Sequence, residues 1–213
     1  MFGGGYDATW LFSVRSLAAL LCVAFAVKMM DDFMDLRHDV ELGVPSIAAR
    51  LGEATLPYAM LLLALAALFD GKASLPLFAA SYAVGMAFDL SRPLPSGLYG
   101  WQEAALALVA GAILAGPLEQ LWALCVVAFV QCMDDVADRE HDWLAGTNNL
   151  VRRFGLGEVS MAALALFAVA AWLRPFLTAG VVVAVACAEG ILWRLTTGRP
   201  KTGVRPAQRG WAP

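Results

Sequence analysis

Seven apolar segments follow one another along the chain, at residues 10–30, 54–69, 73–90, 101–116, 118–133, 158–173 and 175–195, separated only by short charged or turn-rich links. Each predicts a helix. Their charge-free cores run about 12 to 16 residues, against the roughly 20 that cross a bilayer, so any one alone would also suit the inside of a soluble protein. Seven in series do not. Of the 213 residues 60% are hydrophobic and 15% charged, where an average soluble domain has roughly 45 to 50% and about 25%. That much apolar surface exceeds what one compact core hides from water. The expected fold class is therefore all-α: a polytopic membrane helix bundle of about seven transmembrane helices. It forms a single transmembrane domain over residues 1–197, followed by a basic, proline-containing tail at 198–213. The tail reads either as a segment lying on anionic lipid or as a solvated end. The net charge of −3 offers no basic field for nucleic acid, which is excluded as a partner.

Lesser features fit a chain embedded in membrane lipids. Trp10, Trp101, Trp122, Trp143, Trp172 and Trp193 fall at or near predicted helix ends, where amphipathic rings prefer the headgroup level. Cys22, Cys125, Cys132 and Cys187 sit inside apolar runs with no CxxC, as free buried thiols do. The N-terminus lacks the basic region of a cleavable signal peptide, so the first helix is expected to stay. On seven alternating spans, Lys28, Arg37, Arg50, Arg92, Arg139, Arg152, Arg153, Arg194, Arg199, Lys201, Arg205 and Arg209 share one side, and only Arg15, Lys72 and Arg174 fall on the other. The positive-inside rule makes the first side cytoplasmic in a cytoplasmic-membrane protein.

The acids are concentrated on that same side. Half of the 18 lie in two nine-residue windows, Asp31, Asp32, Asp35 and Asp39 in one and Asp134, Asp135, Asp138, Glu140 and Asp142 in the other. At an offset of 103 residues, DDFMDLRHDVELGVPSIAARLG (31–52) matches DDVADREHDWLAGTNNLVRRFG (134–155) at eight of 22 positions. The pairs are Asp31/Asp134, Asp32/Asp135, Asp35/Asp138, His38/His141, Asp39/Asp142, Gly43/Gly146, Arg50/Arg153 and Gly52/Gly155. An internal duplication, with halves of about 10–100 and 101–197, accounts for this. Two half-sites then face one cavity.

Each window continues an apolar helix, and residues four apart share a helix face. Asp31, Asp35 and Asp39 form one acidic stripe and Asp134, Asp138 and Asp142 a second, while Asp32 and Asp135 point off it. Clustered carboxylates at a helix C-terminus repel one another and meet the wrong pole of the helix, so cations are expected there. Oxygen ligands without a cysteine cluster suit Mg²⁺, which takes one or two carboxylates and completes its shell with water and phosphate oxygens. A diphosphate fits between two such stripes, with Arg50, Arg139 and Arg153 as contacts for it. His38 and His141 are ligands, bases or simply duplicated positions.

The paired motifs resemble those of the UbiA superfamily of intramembrane prenyltransferases, where NDxxDxxxD and a later DxxDxxxD follow membrane helices and bind Mg²⁺ and a prenyl diphosphate. SYAVGMAFDLSRPL (81–94) is similar to the tyrosine-initiated helix end and basic-proline turn between them. The resemblance covers about residues 15–155. It implies metal binding by Asp31, Asp32, Asp35, Asp39, Asp134, Asp135, Asp138 and Asp142, with Asp35 and Asp138 central to catalysis and Tyr82 beside the diphosphate. Asp31 stands for the usual asparagine and Leu90 for a usual lysine, which Arg92 replaces. Seven helices against the family's nine suggest a minimal form that draws on a partner or a homo-oligomer. The expected reaction is transfer of a prenyl group from an allylic diphosphate to a lipophilic acceptor. The alternatives are cyclisation without acceptor and, less favoured, a divalent-cation carrier. Against the carrier, no acid lies mid-membrane except Glu189, read as near the far end of its span.

Overall fold

A computed structural model describes residues 14–139 and 149–197, except the side chains of Arg37, His38, Leu42 and Phe88. Asp142, Glu140, His141, Trp143, Gly146, Trp10 and the tail lie outside the described residues. The chain runs through α1 (Val14–Met34), α2 (Leu36–Leu42), α3 (Ile47–Leu51), α4 (Thr55–Gly85), α5 (Gly100–Ala115), α6 (Pro117–Ala137), α7 (Leu150–Phe154), α8 (Leu156–Leu173) and α9 (Pro175–Thr197). Among the described residues there is no strand. A single bridge between Pro93 and Tyr99 ties the loop before α5. The all-helical expectation holds.

Four stretches are long and apolar enough to cross a bilayer: Ile47–Gly85, Pro117–Ala137, Leu156–Leu173 and Pro175–Thr197. At 1.5 Å per residue α6, with 21 residues, is about 31 Å long, close to the hydrocarbon thickness. The chain thus has the helices of an integral membrane protein. The other expected segments differ for identifiable reasons. α1 is equally long, but Arg15, Lys28, Asp31 and Asp32 interrupt it; α5 has only 16 residues. The segments expected at 54–69 and 73–90 are the two arms of α4, separate helices that meet at Asp70, whose backbone is extended (φ −154°, ψ 85°). Its carboxylate accepts the Ala73 N–H (3.2 Å) and the Ser16 hydroxyl (2.7 Å), so Asp70 starts the second arm as a helix cap while tying it to α1.

The bundle closes on small side chains. Ala66, Ala73, Ala80, Ala123, Ala170 and Ala184 are buried with Leu20, Val23, Leu77, Trp122 and Val126, which lets helix backbones approach closely. Trp122 is no interfacial anchor: it is fully buried, and its indole N–H donates to the Thr178 hydroxyl at 2.9 Å, joining α6 to α9. Trp101, Trp172 and Trp193 are exposed as expected. Cys125 and Cys132 are buried, but Cys187 is exposed. Leu106, Ile113, Leu164, Phe176, Val183 and Ile191 also face outwards. Such an apolar exterior is costly in water and normal in lipid.

The contacts define two ends. Arg174, between α8 and α9, repeats the bend of Asp70 (φ −147°, ψ 76°) and pairs in a two-pronged bond with Glu119 of α6, one prong 3.1 Å. That carboxylate keeps its guanidinium more firmly protonated. The opposite end gathers the acidic windows. Arg50 donates to the Leu195 carbonyl in the last turn of α9, which fixes the end of that helix there too.

With both partners about one-fifth exposed, Glu119→Ala takes the two-pronged carboxylate away from a largely buried guanidinium. It should cost about 2 kcal/mol, below the 3 to 5 of a fully buried pair. Thermal unfolding in detergent should show a midpoint lower by several degrees; an unchanged midpoint would mean that the pair does not hold this end.

Candidate functional site

The last turn of α1 carries the first window and the last turn of α6 the second, and both leave their helices alike. The Asp35 N–H bonds to the Asp31 carbonyl (3.1 Å) and the Asp39 N–H to that of Asp35 (2.9 Å), so the stripe keeps helical spacing across the break between α1 and α2. In the second window the Asp138 N–H bonds to the Asp134 carbonyl at 2.9 Å. Asp35 (φ −88°, ψ 0°) and Asp138 (φ −92°, ψ 7°) have one backbone conformation, which turns the chain away from the helix axis.

Burial then sorts the aspartates. Asp31, Asp35, Asp134 and Asp138 are exposed, whereas Asp135 is buried and the Asp32 side chain nearly so. The buried pair have partners. Asp32 Oδ2 accepts the Ile47 N–H at 3.2 Å, and its Oδ1 lies 3.4 Å from Lys28 Nζ. Asp135 Oδ2 accepts the Leu150 N–H at 2.6 Å, and its Oδ1 accepts from Gln131 Nε2 at 2.8 Å. Ile47 and Leu150 open the short helices α3 and α7, capped by Ser46 and Asn149; Asn149 also donates to the Asp135 carbonyl (2.8 Å). In the sequence these short helices fall within the links between apolar segments, and the serine and asparagine caps are their signal.

Two charged residues that the motifs did not flag belong to this end. Lys28 pairs with Asp31 (3.5 Å) and Asp32 and also interacts electrostatically with Asp134, so it links the two windows. Asp134 in turn interacts with Lys28, Asp138, Glu189 and Asp31. Glu189 therefore lies towards the acidic end and not the far one, because α9 runs towards that end. Lys28 was legible as a charge one turn before the motif. Glu189 required the helix direction.

The arginines divide. Arg153 stacks against Phe154 (5.3 Å) and, with Arg92, lines an open polar pocket of about 280 Å³ whose other walls are Ala87, Asp89, Leu90 and Ser91. Arg92 pairs with Asp89 at 3.8 Å, and Arg139 is exposed just past Asp138. Arg50, the counterpart of Arg153, is instead engaged at the end of α9. The Tyr82 hydroxyl donates to Glu103, which also accepts from Ser96, so Glu103 ties both the end of α4 and the 86–99 loop to α5.

Hard carboxylate oxygens in pairs four residues apart fit a divalent ion. Among the described residues no three His, Cys, Asp or Glu converge closely enough to cage such an ion. Compared with family models, with curated proteins and with solved structures, the chain matches none.

Gly100 fixes the Arg92 loop. A Cβ there would strike the Asp89 carbonyl, and its N–H bonds to the Arg92 carbonyl at 3.1 Å. Gly100→Ala should cost about 1 to 3 kcal/mol as an overpacking change. It should also speed hydrogen exchange in residues 89–99, while exchange in α6 should not move; an unperturbed loop would contradict the close approach.

Proposed function

We propose that this chain is a Mg²⁺-dependent intramembrane prenyltransferase, built from two copies of one helical unit whose acidic ends share one site. The observation that carries the reading is the pair of exposed aspartates at each of two helix ends, Asp31 with Asp35 and Asp134 with Asp138, with Lys28 acting on both. The likeness to UbiA-type motifs supplies the reaction class. Support for two copies comes from agreement at a 103-residue offset: α1 with α6 and α3 with α7 in their bounds, the turn at Asp35 with that at Asp138, the bonds of Asp32 with those of Asp135. At the other end the Ser16–Asp70 tie and the Glu119–Arg174 pair are similar contacts, Ser16 and Glu119 at that offset and Arg174 one residue beyond it. On this reading the units are α1 to α4 and α6 to α9, α5 stands between them, and the second copy starts at Pro117 and not at residue 101. The two arms of α4 count as separate passes, giving seven. The basic side that carries the acidic end faces the cytoplasm.

Asp31, Asp35, Asp134 and Asp138 would hold Mg²⁺, with Asp39 and Asp142 at the outer edge. The ion supplies charge neutralisation for a departing pyrophosphate. Arg92 and Arg153 line one open polar pocket, where both guanidinia can meet a phosphate, and Arg139 adds a third beside the second motif. Lys28 balances the carboxylates and keeps them from repelling an anionic substrate. The hydrocarbon tail lies among apolar helices, where water is scarce and an allylic cation survives long enough for a lipophilic acceptor to capture it.

Purified protein in nanodiscs, given Mg²⁺ and geranyl, farnesyl or geranylgeranyl diphosphate with a lipid extract as acceptor, should release pyrophosphate. Asp35→Ala and Asp138→Ala should each lower the rate about 100-fold or more, the scale on which removal of charge stabilisation acts. Unchanged turnover in both variants would overturn the assignment. Terpene formed without acceptor would redirect it to cyclisation.

A further inference from the structure

The second aspartate of each motif does different work from its neighbours. Its burial, its two occupied oxygens and its partner across 15 residues of chain set it apart. We infer that Asp32 and Asp135 are positioning residues: each bolts the chain after its motif back onto the motif helix through the first backbone N–H of α3 or α7. Each carboxylate has one oxygen held from one turn earlier on its own helix, by Lys28 or by Gln131, and the other on that backbone N–H. The bolt sets where Arg153 stands and where the exposed pair Asp134 and Asp138 points. This deepens the proposed site and rests on it for what the bolt serves, but the geometry of the bolt is independent of the reaction.

The two bolts differ in one chemical respect, and that makes them separable from metal ligands. Gln131 is an amide that can turn over and present its oxygen. An asparagine at 135 can therefore accept the Leu150 N–H with its oxygen and donate its NH₂ to Gln131, keeping both bonds without the charge. Lys28 has only donors, so an asparagine at 32 keeps the Ile47 bond and loses the other. A metal ligand would behave otherwise, since removal of its charge weakens the ion in either window.

The test uses the full chain in detergent with two readouts, hydrogen exchange of α3 and α7 and binding of Mn²⁺ followed by electron paramagnetic resonance. Asp135→Ala should raise exchange in α7 about ten-fold or more, while Asp135→Asn should stay within about three-fold of the parent. Asp32→Asn should fall between its parent and Asp32→Ala in α3. Should an alanine variant not fold, Leu150→Pro removes the donor from the other side, at a first helical position where proline is accepted after an extended residue, and should loosen α7 likewise. Mn²⁺ binding should survive Asp135→Asn and weaken about ten-fold or more in Asp138→Asn. The inference is overturned if Asp135→Asn loses Mn²⁺ as Asp138→Asn does, or if Asp135→Ala leaves α7 protected. A parent that binds no Mn²⁺ would sink the metal reading above, and the exchange comparison would still decide the bolt.

Discussion

A carboxylate at the C-terminal end of a helix meets the negative pole of its own backbone, and one that enters a bilayer has little water to compensate it. This chain sets such groups at the ends of α1 and α6, and much of its architecture answers to them. The buried member of each set is neutralised by bonds: a side chain one turn back and the opening N–H of the next short helix. Lys28 answers the rest in part, and it acts on both sets. What stays exposed is a pair of carboxylates at each end, spaced by one helical turn.

From that arrangement follows the form of the segments between the helices. Because Asp32 and Asp135 pull α3 and α7 against the motif helices, the chain after each motif is a compact bracket rather than an open loop. Arg50 and Arg153 sit at matching places in the two brackets yet meet different neighbours. Arg50 finds the carbonyl end of α9, a favourable place for a cation, while Arg153 finds the loop of Arg92. One bracket is a latch and the other lines an open pocket. At the far end Ser16 with Asp70 and Glu119 with Arg174 close similar corners with different chemistry, which leaves the acidic end as the place where the exposed charges meet.

Helix positions were legible because apolar runs broken by Gly, Pro and charge are a strong signal, and α6, α8 and α9 lie within a few residues of expectation. The break of α4 at Asp70 was legible as an interruption but not as a tie to α1, since the Ser16 partner is 54 residues away. Trp122 misled because its place near a helix end suits an interfacial ring, and only packing showed Thr178 beside it. The acidic stripe was visible from spacing, and even the off-stripe direction of Asp32 and Asp135 was. Their backbone partners were not, because a bond to a main-chain N–H leaves no mark in residue identity. Glu189 was misplaced for want of a helix direction. The remaining site residue, Asp142, lies outside the described residues.

In a prenyltransferase of the proposed kind the two acidic ends make one site and not two. Binding of a non-hydrolysable allylic thiodiphosphate to the protein in nanodiscs, measured with and without Mn²⁺, tests it directly. One ligand per chain, dependent on the ion and lost in Asp35→Asn alone or Asp138→Asn alone, is the predicted result. Two independent sites, or binding that either substitution leaves intact, would contradict it.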